Sequence, residues 1–193
     1  MPNTFSNIVK WLFATVAVLV LAEGNYAFSQ QNISGPVINA YTKVVTVGAN
    51  SVTVSDVSAF AANDTVLLIQ MAGVVITAAP TTGQGLWQSQ LGSPGRYEFL
   101  IISSINSGTK TITFTQPSLS NTYDPEGKVQ LIHVPSYNDA TVISSLTCAP
   151  WDSSGCTGGV LAIIAKRKLT LNSSLSVNEK GFKGGLATQG PGI

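Results

Sequence analysis

The sequence is short of charge. Asp, Glu, Lys and Arg make up only 10% of its 193 residues, against about a quarter in ordinary soluble domains. The formal net charge is +1 and no basic stripe occurs, which argues against nucleic acid as a partner. Histidine is almost missing: His133 is the single one, set inside "LIHVP" with no residue spacing that suggests a Ser-His-Asp arrangement. Cysteine occurs only at Cys148 and Cys156, and two thiols without nearby histidines do not complete a zinc shell. No spaced Asp repeat offers a calcium loop, so neither a metal nor a cofactor is expected. Helical periodicity is also lacking, since nothing after Tyr41 sustains a repeat near 3.6 residues. What covers the surface instead is Ser, Thr, Asn and Gln, as is common in extracellular β-proteins.

Long apolar runs are confined to the N-terminus. Lys10 precedes the apolar Trp11–Ala22, and Ala27-Phe28-Ser29 supplies small residues suited to cleavage, so residues 1–30 read as an export signal. The run is shorter than the roughly 20 residues a membrane-spanning helix needs, and an uncleaved N-terminal anchor is the alternative reading. The expected location is therefore secreted or at the outer cell surface. From about Gln30 onward the chain suffices for one ordinary domain or two small ones.

Short strands separated by turns follow. "KVVTV" and "SVTVS" alternate as half-buried strands do, while "TVLLIQM" is apolar through Ile69 and reads as a buried strand. "YEFLIISSI" and "TITFT" flank "NSGTK", with Gly108 available for a positive φ, and "VQLIHV" makes a further strand closed by Pro135. We expect a small antiparallel β-barrel or sandwich over 31–136. Residues Thr77 to Gly95 lack any period; a loop of that length tends to be functional or mobile. Trp87 is its one large apolar group and a candidate for stacking on a sugar or partner, the alternative being that it covers an end of the domain.

The last third differs. "GGVLAII" is apolar at every position from Val160 to Ile164, as in a strand covered on both faces. Leu169, Leu171, Leu175 and Val177 alternate with Lys168, Thr170 and Ser176, and only "KR" and "NSS" separate the runs. Strands joined by bends without Asn-Gly-type hairpin turns suggest the coil of a parallel β-solenoid, which needs neighbours stacked on it. We therefore expect residues 137–193 to be the first, truncated coil of such a stack, continuing beyond Ile193. The whole is an all-β chain, a small antiparallel β-barrel or sandwich followed by the start of a parallel β-solenoid. In "CAPWDSSGC" an oxidising compartment, Pro150 and Gly155 favour a Cys148–Cys156 disulfide over free thiols. Asp124 with Glu126 and Asp139 with Asp152 are the acid pairs available to a glycosidase, but their turn contexts give the aspartates a local backbone reason to be there. No catalytic residue is assigned.

The order "ANSVTVSDVSAFAANDTVLLIQMAG", "GRYEFLIISSINSGTKTITF", "VQLIHVPSYNDATV", "CAPWDSSGCTGGVLAI", "LTLNSSLSVNEKGFKGG" resembles the N-terminal region of large cell-surface or secreted proteins of Bacteroidetes, many with gliding-motility or type IX secretion features at their far C-termini. The similarity runs from about Tyr41 to Gly185. It implies a non-catalytic, adhesin-like module of a longer protein, whose partners are cell-surface polysaccharide or another surface protein. Glu179-Lys180 and the two cysteines depart from the family pattern. The competing expectation is the N-terminal part of a β-helical polysaccharide-acting enzyme with its active site on later coils.

Overall fold

Strands make up nearly all the regular structure in the computed structural model, which describes residues 30–76 and 87–182. The export signal expected over 1–30, Gln30 apart, lies outside the described residues, as does the Gly-rich tail from 183 onward. In chain order the strands are β1 (Gln30–Ile33), β2 (Tyr41–Val47), β3 (Ser51–Val54), β4 (Thr65–Gln70), β5 (Val74–Ile76), β6 (Trp87–Gln90), β7 (Tyr97–Asn106), β8 (Thr111–Phe114), β9 (Val129–His133), β10 (Ser136–Val142) and β11 (Ile164–Leu171). A 3-10 turn, Pro125–Gly127, precedes β9.

Six strands close into an antiparallel barrel in the order β2-β3-β8-β7-β4-β9. Alternation in β3 and β8 sends Val52, Val54, Ile112 and Phe114 inward, where they meet Val44, Val66, Leu68, Leu100, Ile102, Val129 and Leu131. Register shifts between Ile102 and Ser104, and between Val44 and Thr46, give the bends that a small closed barrel requires. At the β7–β8 turn the Asn106 side chain accepts from Gly108 N and Thr109 N at 3.0 and 3.1 Å. The positive φ there falls on Lys110, not on Gly108 as the sequence suggested.

Outside the barrel, β1, β10 and β11 form a parallel sheet with β10 in the middle. Ile33 pairs with Val142, and Val142 with Leu171, and parallel bridges Val37–Thr147 and Leu146–Leu175 extend the stack. Side chains on the last two rungs meet 28 and 29 residues apart, as Ser145 Oγ does with Ser173 and Ser174. The stack thus begins before the barrel: β1 belongs to it, not to the antiparallel unit drawn over 31–136. The barrel strands, Tyr41 to His133, are an insertion between the first two rungs. The segment "QQNI" has no internal period to reveal this, because partners such as Gly35 and Ser144 lie 109 residues apart.

A second difference concerns "KR". It does not separate two strands but sits within β11, where the register passes from Tyr137–Ala165 to Asp139–Lys168. Lys166 and Arg167 together oppose Asn138, forming a bulge. Arg167 pairs with Asp139 on the neighbouring rung, so a charged run is accommodated in a strand.

The segment 158–162 joins the two units without belonging to a sheet. Val160, Ala162 and Ile164 pack on Leu67, Ile132 and Val134 of the barrel wall. Leu161 and Ile163 face the other way, onto Ile33, Ala140, Val142 and Leu146 of the stack. Expected coverage on both faces is present, but no strand supplies the hydrogen bonds. Side chains do. Gln130 Nε2 donates to Gly158 O at 2.9 Å and Gly158 N donates back to Gln130 Oε1 at 2.8 Å. Tyr41 OH donates to Val160 O at 2.7 Å. Asn39 Nδ2 donates to Ala162 O at 2.7 Å, and Ala162 N donates to Asn39 Oδ1 at 3.0 Å. Gly158 is required here: its φ is +95°, and a Cβ would lie 2.3 Å from Pro150 O.

Because each amide satisfies an N–H and a C=O of a covered backbone, we expect Gln130→Ala and Asn39→Ala each to cost about 3 kcal/mol, read from urea unfolding midpoints. Burial, and then the neighbouring Cys148 thiol, pushes the Tyr41 phenol from 10.0 up to about 12. The native state therefore keeps this proton to higher pH than the unfolded chain, and its stabilising effect is lost as pH rises from 10 to about 12. We expect Tyr41→Phe to show a smaller fall in stability than wild type across that interval, measured by urea midpoints at each pH.

Candidate functional site

The seam between barrel and stack has a hollow on each of two sides. One is apolar, about 400 Å³, lined by Leu67, Ile69, Tyr97, Phe99, Leu161 and Ile163 among others. It exists because β7 alternates: Leu100 and Ile102 enter the core, and Tyr97, Phe99 and Ile101 point out, 58%, 48% and 43% exposed. The Tyr97 and Phe99 rings meet edge to face, centroids 6.2 Å apart and planes at 86°, a favoured aromatic geometry. Such a surface can stack on the C–H face of a sugar or on an apolar partner. Its signal in the sequence was the alternation of "YEFLI" itself.

The other hollow is polar, about 440 Å³. Asp64 and Asn63 reach it from the turn before β4, His133 from the end of β9, Tyr137 from β10, Lys166 from the β11 bulge and Gln31 from β1. His133 Nε2 lies 3.6 Å from Asp64 Oδ2, both side chains about a quarter exposed at 28% and 25%. The sequence offered His133 no partner; the antiparallel pairing of β4 with β9, with Val66 opposite His133, supplies one. Burial raises the Tyr137 phenol above its usual range.

The other sequence candidates have local roles. Asp124 caps the 3-10 turn, its Oδ1 accepting from Glu126 N at 3.0 Å. Asp139 is paired with Arg167. Asp152 accepts from Ser154 N and Oγ at 2.9 and 2.6 Å, contacts that lower its carboxyl pKa. Trp87 opens β6, opposite Ile76, so part of the expected loop is a strand; its side chain and residues 77–86 lie outside the described residues. Cys148 and Cys156 are both buried free thiols, a correction to the expected disulfide. Their loop is closed by other means: Asp152 and Thr157 pair as an antiparallel bridge, and Cys156, at φ +54°, turns its Sγ to Ser153 O at 3.6 Å. Burial pushes the Cys148 thiol up, which makes it a poorer nucleophile. Among the described residues no group of three or more His, Cys, Asp or Glu side chains could hold a metal ion, and no helix is long and apolar enough to cross a membrane.

These features define an all-β protein: a closed antiparallel barrel carried by a parallel β-stack. No protein-family model and no curated protein matches the chain. Among solved structures it is similar to the tailspike protein gp49 from Pseudomonas phage LKA1, over 64% of this chain and 21% of that one, at 12% identity and a TM-score of 0.31. It is also similar to the Gp54 tailspike of Acinetobacter baumannii bacteriophage AP22, solved in complex with A. baumannii capsular saccharide, over 75% of this chain and 25% of that one, at 10% identity and a TM-score of 0.31. The chain thus spans a quarter or less of those proteins, and the likeness is too loose for their ligands to bear on it.

Being solvent-facing, the aromatic pair should contribute little to folding. We expect the double substitution Tyr97→Ser and Phe99→Ser to change unfolding free energy by less than about 1 kcal/mol, checked by urea unfolding.

Proposed function

We propose that this chain is the N-terminal, non-catalytic module of a longer exported cell-surface protein, with a structural or adhesive role toward surface polysaccharide or another surface protein. One observation carries the reading. The inward column of the stack is Ile33, Val142 and Leu171 in successive rungs; the first two are 3% and 0% exposed, the third 54%. Leu146 and Leu175 repeat the pattern at 1% and 39%. Among the described residues, Leu171 and Leu175 occupy interior positions with no layer over them and β11 has no second neighbour. A further parallel coil would pair that open edge, which otherwise invites unplanned association, and would gain about 1 kcal/mol for each half-exposed leucine it covered.

Hydrogen exchange on residues 1–193 expressed alone and on the product recovered from the source cells tests this. In the native product the amides of residues 169–175 should exchange at least about tenfold more slowly than in the isolated chain, as expected where a new ladder forms. Equal exchange, or a native product no larger than this chain, would sink the proposal.

A further inference from the structure

The polar hollow does nothing for the fold that its own contacts explain. Asp64 is engaged, its Oδ2 near His133 and accepting from Ala61 N at 2.7 Å. The side chains of Lys166, Asn63 and Gln31 line the hollow with no hydrogen bond or ion pair among the described residues. Tyr137 adds a phenol held in its neutral form by burial. The arrangement is therefore one ammonium with no direct partner among the described residues, a carboxylate already engaged by His133 and Ala61 N, and neutral groups that donate and accept hydrogen bonds.

This combination selects a ligand chemistry. A lone lysine is a point charge suited to one carboxylate, whereas a phosphate's double charge is usually met by several cations or an arginine fork. Amides and a phenol pair with hydroxyls, which a neutral apolar ligand would leave unsatisfied. A wholly neutral sugar would leave Lys166 unmatched. The hollow also joins the two units, taking Asn63, Asp64 and His133 from the barrel and Gln31, Tyr137 and Lys166 from the stack. It is formed only when the inserted barrel sits on the rungs.

We propose that this hollow binds a carboxylate-bearing sugar of an acidic polysaccharide, Lys166 pairing with the carboxylate while Asn63, Gln31 and Tyr137 take ring hydroxyls. The inference rests on the adhesive reading above and names its partner, but it does not depend on the uncovered leucine column. Asp64 has a particular part in it: its negative charge faces the same space and opposes the ligand's, so it sets an upper limit on affinity.

Titration calorimetry on the full chain at low ionic strength tests the idea with an oligogalacturonate, the matching neutral oligogalactoside and free acetate. We expect the oligogalacturonate to bind at least about tenfold more tightly than either of the other two. Lys166→Gln should lose about tenfold, as for removal of a charged hydrogen-bonding partner. Asp64→Asn, which keeps an oxygen for Ala61 N, should bind about threefold more tightly because a repelling charge is gone. That gain is opposite to what a purely structural role for Asp64 would give. Gln31→Ala, on an exposed residue of β1, provides a second variant should Lys166→Gln fold poorly, and should weaken binding. Circular dichroism verifies the fold of each variant. No binding up to about 10 mM, equal binding of the neutral sugar or of acetate, an unchanged Lys166→Gln, or weaker binding by Asp64→Asn would each overturn the proposal. Failure here with slowed exchange at residues 169–175 would leave the modular reading standing, and the reverse result would separate the two the other way.

Discussion

Everything in this fold depends on how one short segment, 158–162, has its backbone satisfied. It lies between a barrel wall and a stacked sheet, apolar on both sides, where unpaired N–H and C=O groups would each be costly. Among the described residues no strand pairs it. Gln130, Tyr41 and Asn39 reach it at residues 158, 160 and 162, the spacing at which a period-two segment turns the same side to its neighbour. Two carboxamides imitate the paired donor and acceptor of a strand, so the segment behaves as an extra ladder built from side chains. Barrel and stack consequently share a single apolar layer.

Amide side chains are used the same way elsewhere, which fits a chain with so little charge. Gln70 is fully buried at the end of β4, where its Nε2 donates to Ala72 O and Leu91 O at 2.8 and 2.5 Å and its Oε1 accepts from Asp124 N at 3.0 Å. It ties the outgoing β5–β6 hairpin to the 3-10 turn. Gly127 has to be glycine there, because a Cβ would come within 2.1 Å of Gln70 Nε2. Among the described residues no buried side-chain nitrogen or oxygen lacks a partner. A neutral amide can donate and accept together at a much smaller desolvation cost than a buried ion.

Insertion of the barrel between two rungs explains where the surface features arise. The chain leaves the stack after β1, completes the barrel, and re-enters at β10 beside its starting point. The seam so created is where β4 and β9 are covered on both faces and where the two hollows lie. Next to β4 in the same wall, β7 is less covered: Tyr97 and Phe99 border the apolar hollow and, with Ile101, face solvent. The same strand geometry thus yields interior on one stretch and display surface on the next.

Local pattern was enough to identify most barrel strands, the all-β class and the parallel character of the last third, because alternation in "SVTV", "TITF" and "KLTL" is a property of neighbouring residues. The uninterrupted apolar runs correctly indicated a buried strand in "TVLLI" and cover on two faces in "GGVLAII", though not as a strand over 160–163. The sequence could not show what provided that cover, nor that "QQNI" belongs to the stack, nor that "KR" is a bulge. Those follow from contacts across many tens of residues, which leave no periodic trace. The site divides the same way. His133 was visible as a lone imidazole, but its contact with Asp64 exists only once β4 and β9 pair, and its position beside Lys166 only once barrel and stack meet. The thiol pair shows the opposite error: proximity in sequence suggested a bridge, and the tertiary turn at Asp152–Thr157 directed Cys156 elsewhere. Periodicity, being local, settled which residues face inward; closure of the barrel onto the stack, being long-range, decided which of those faces would be buried and which would be left to bind.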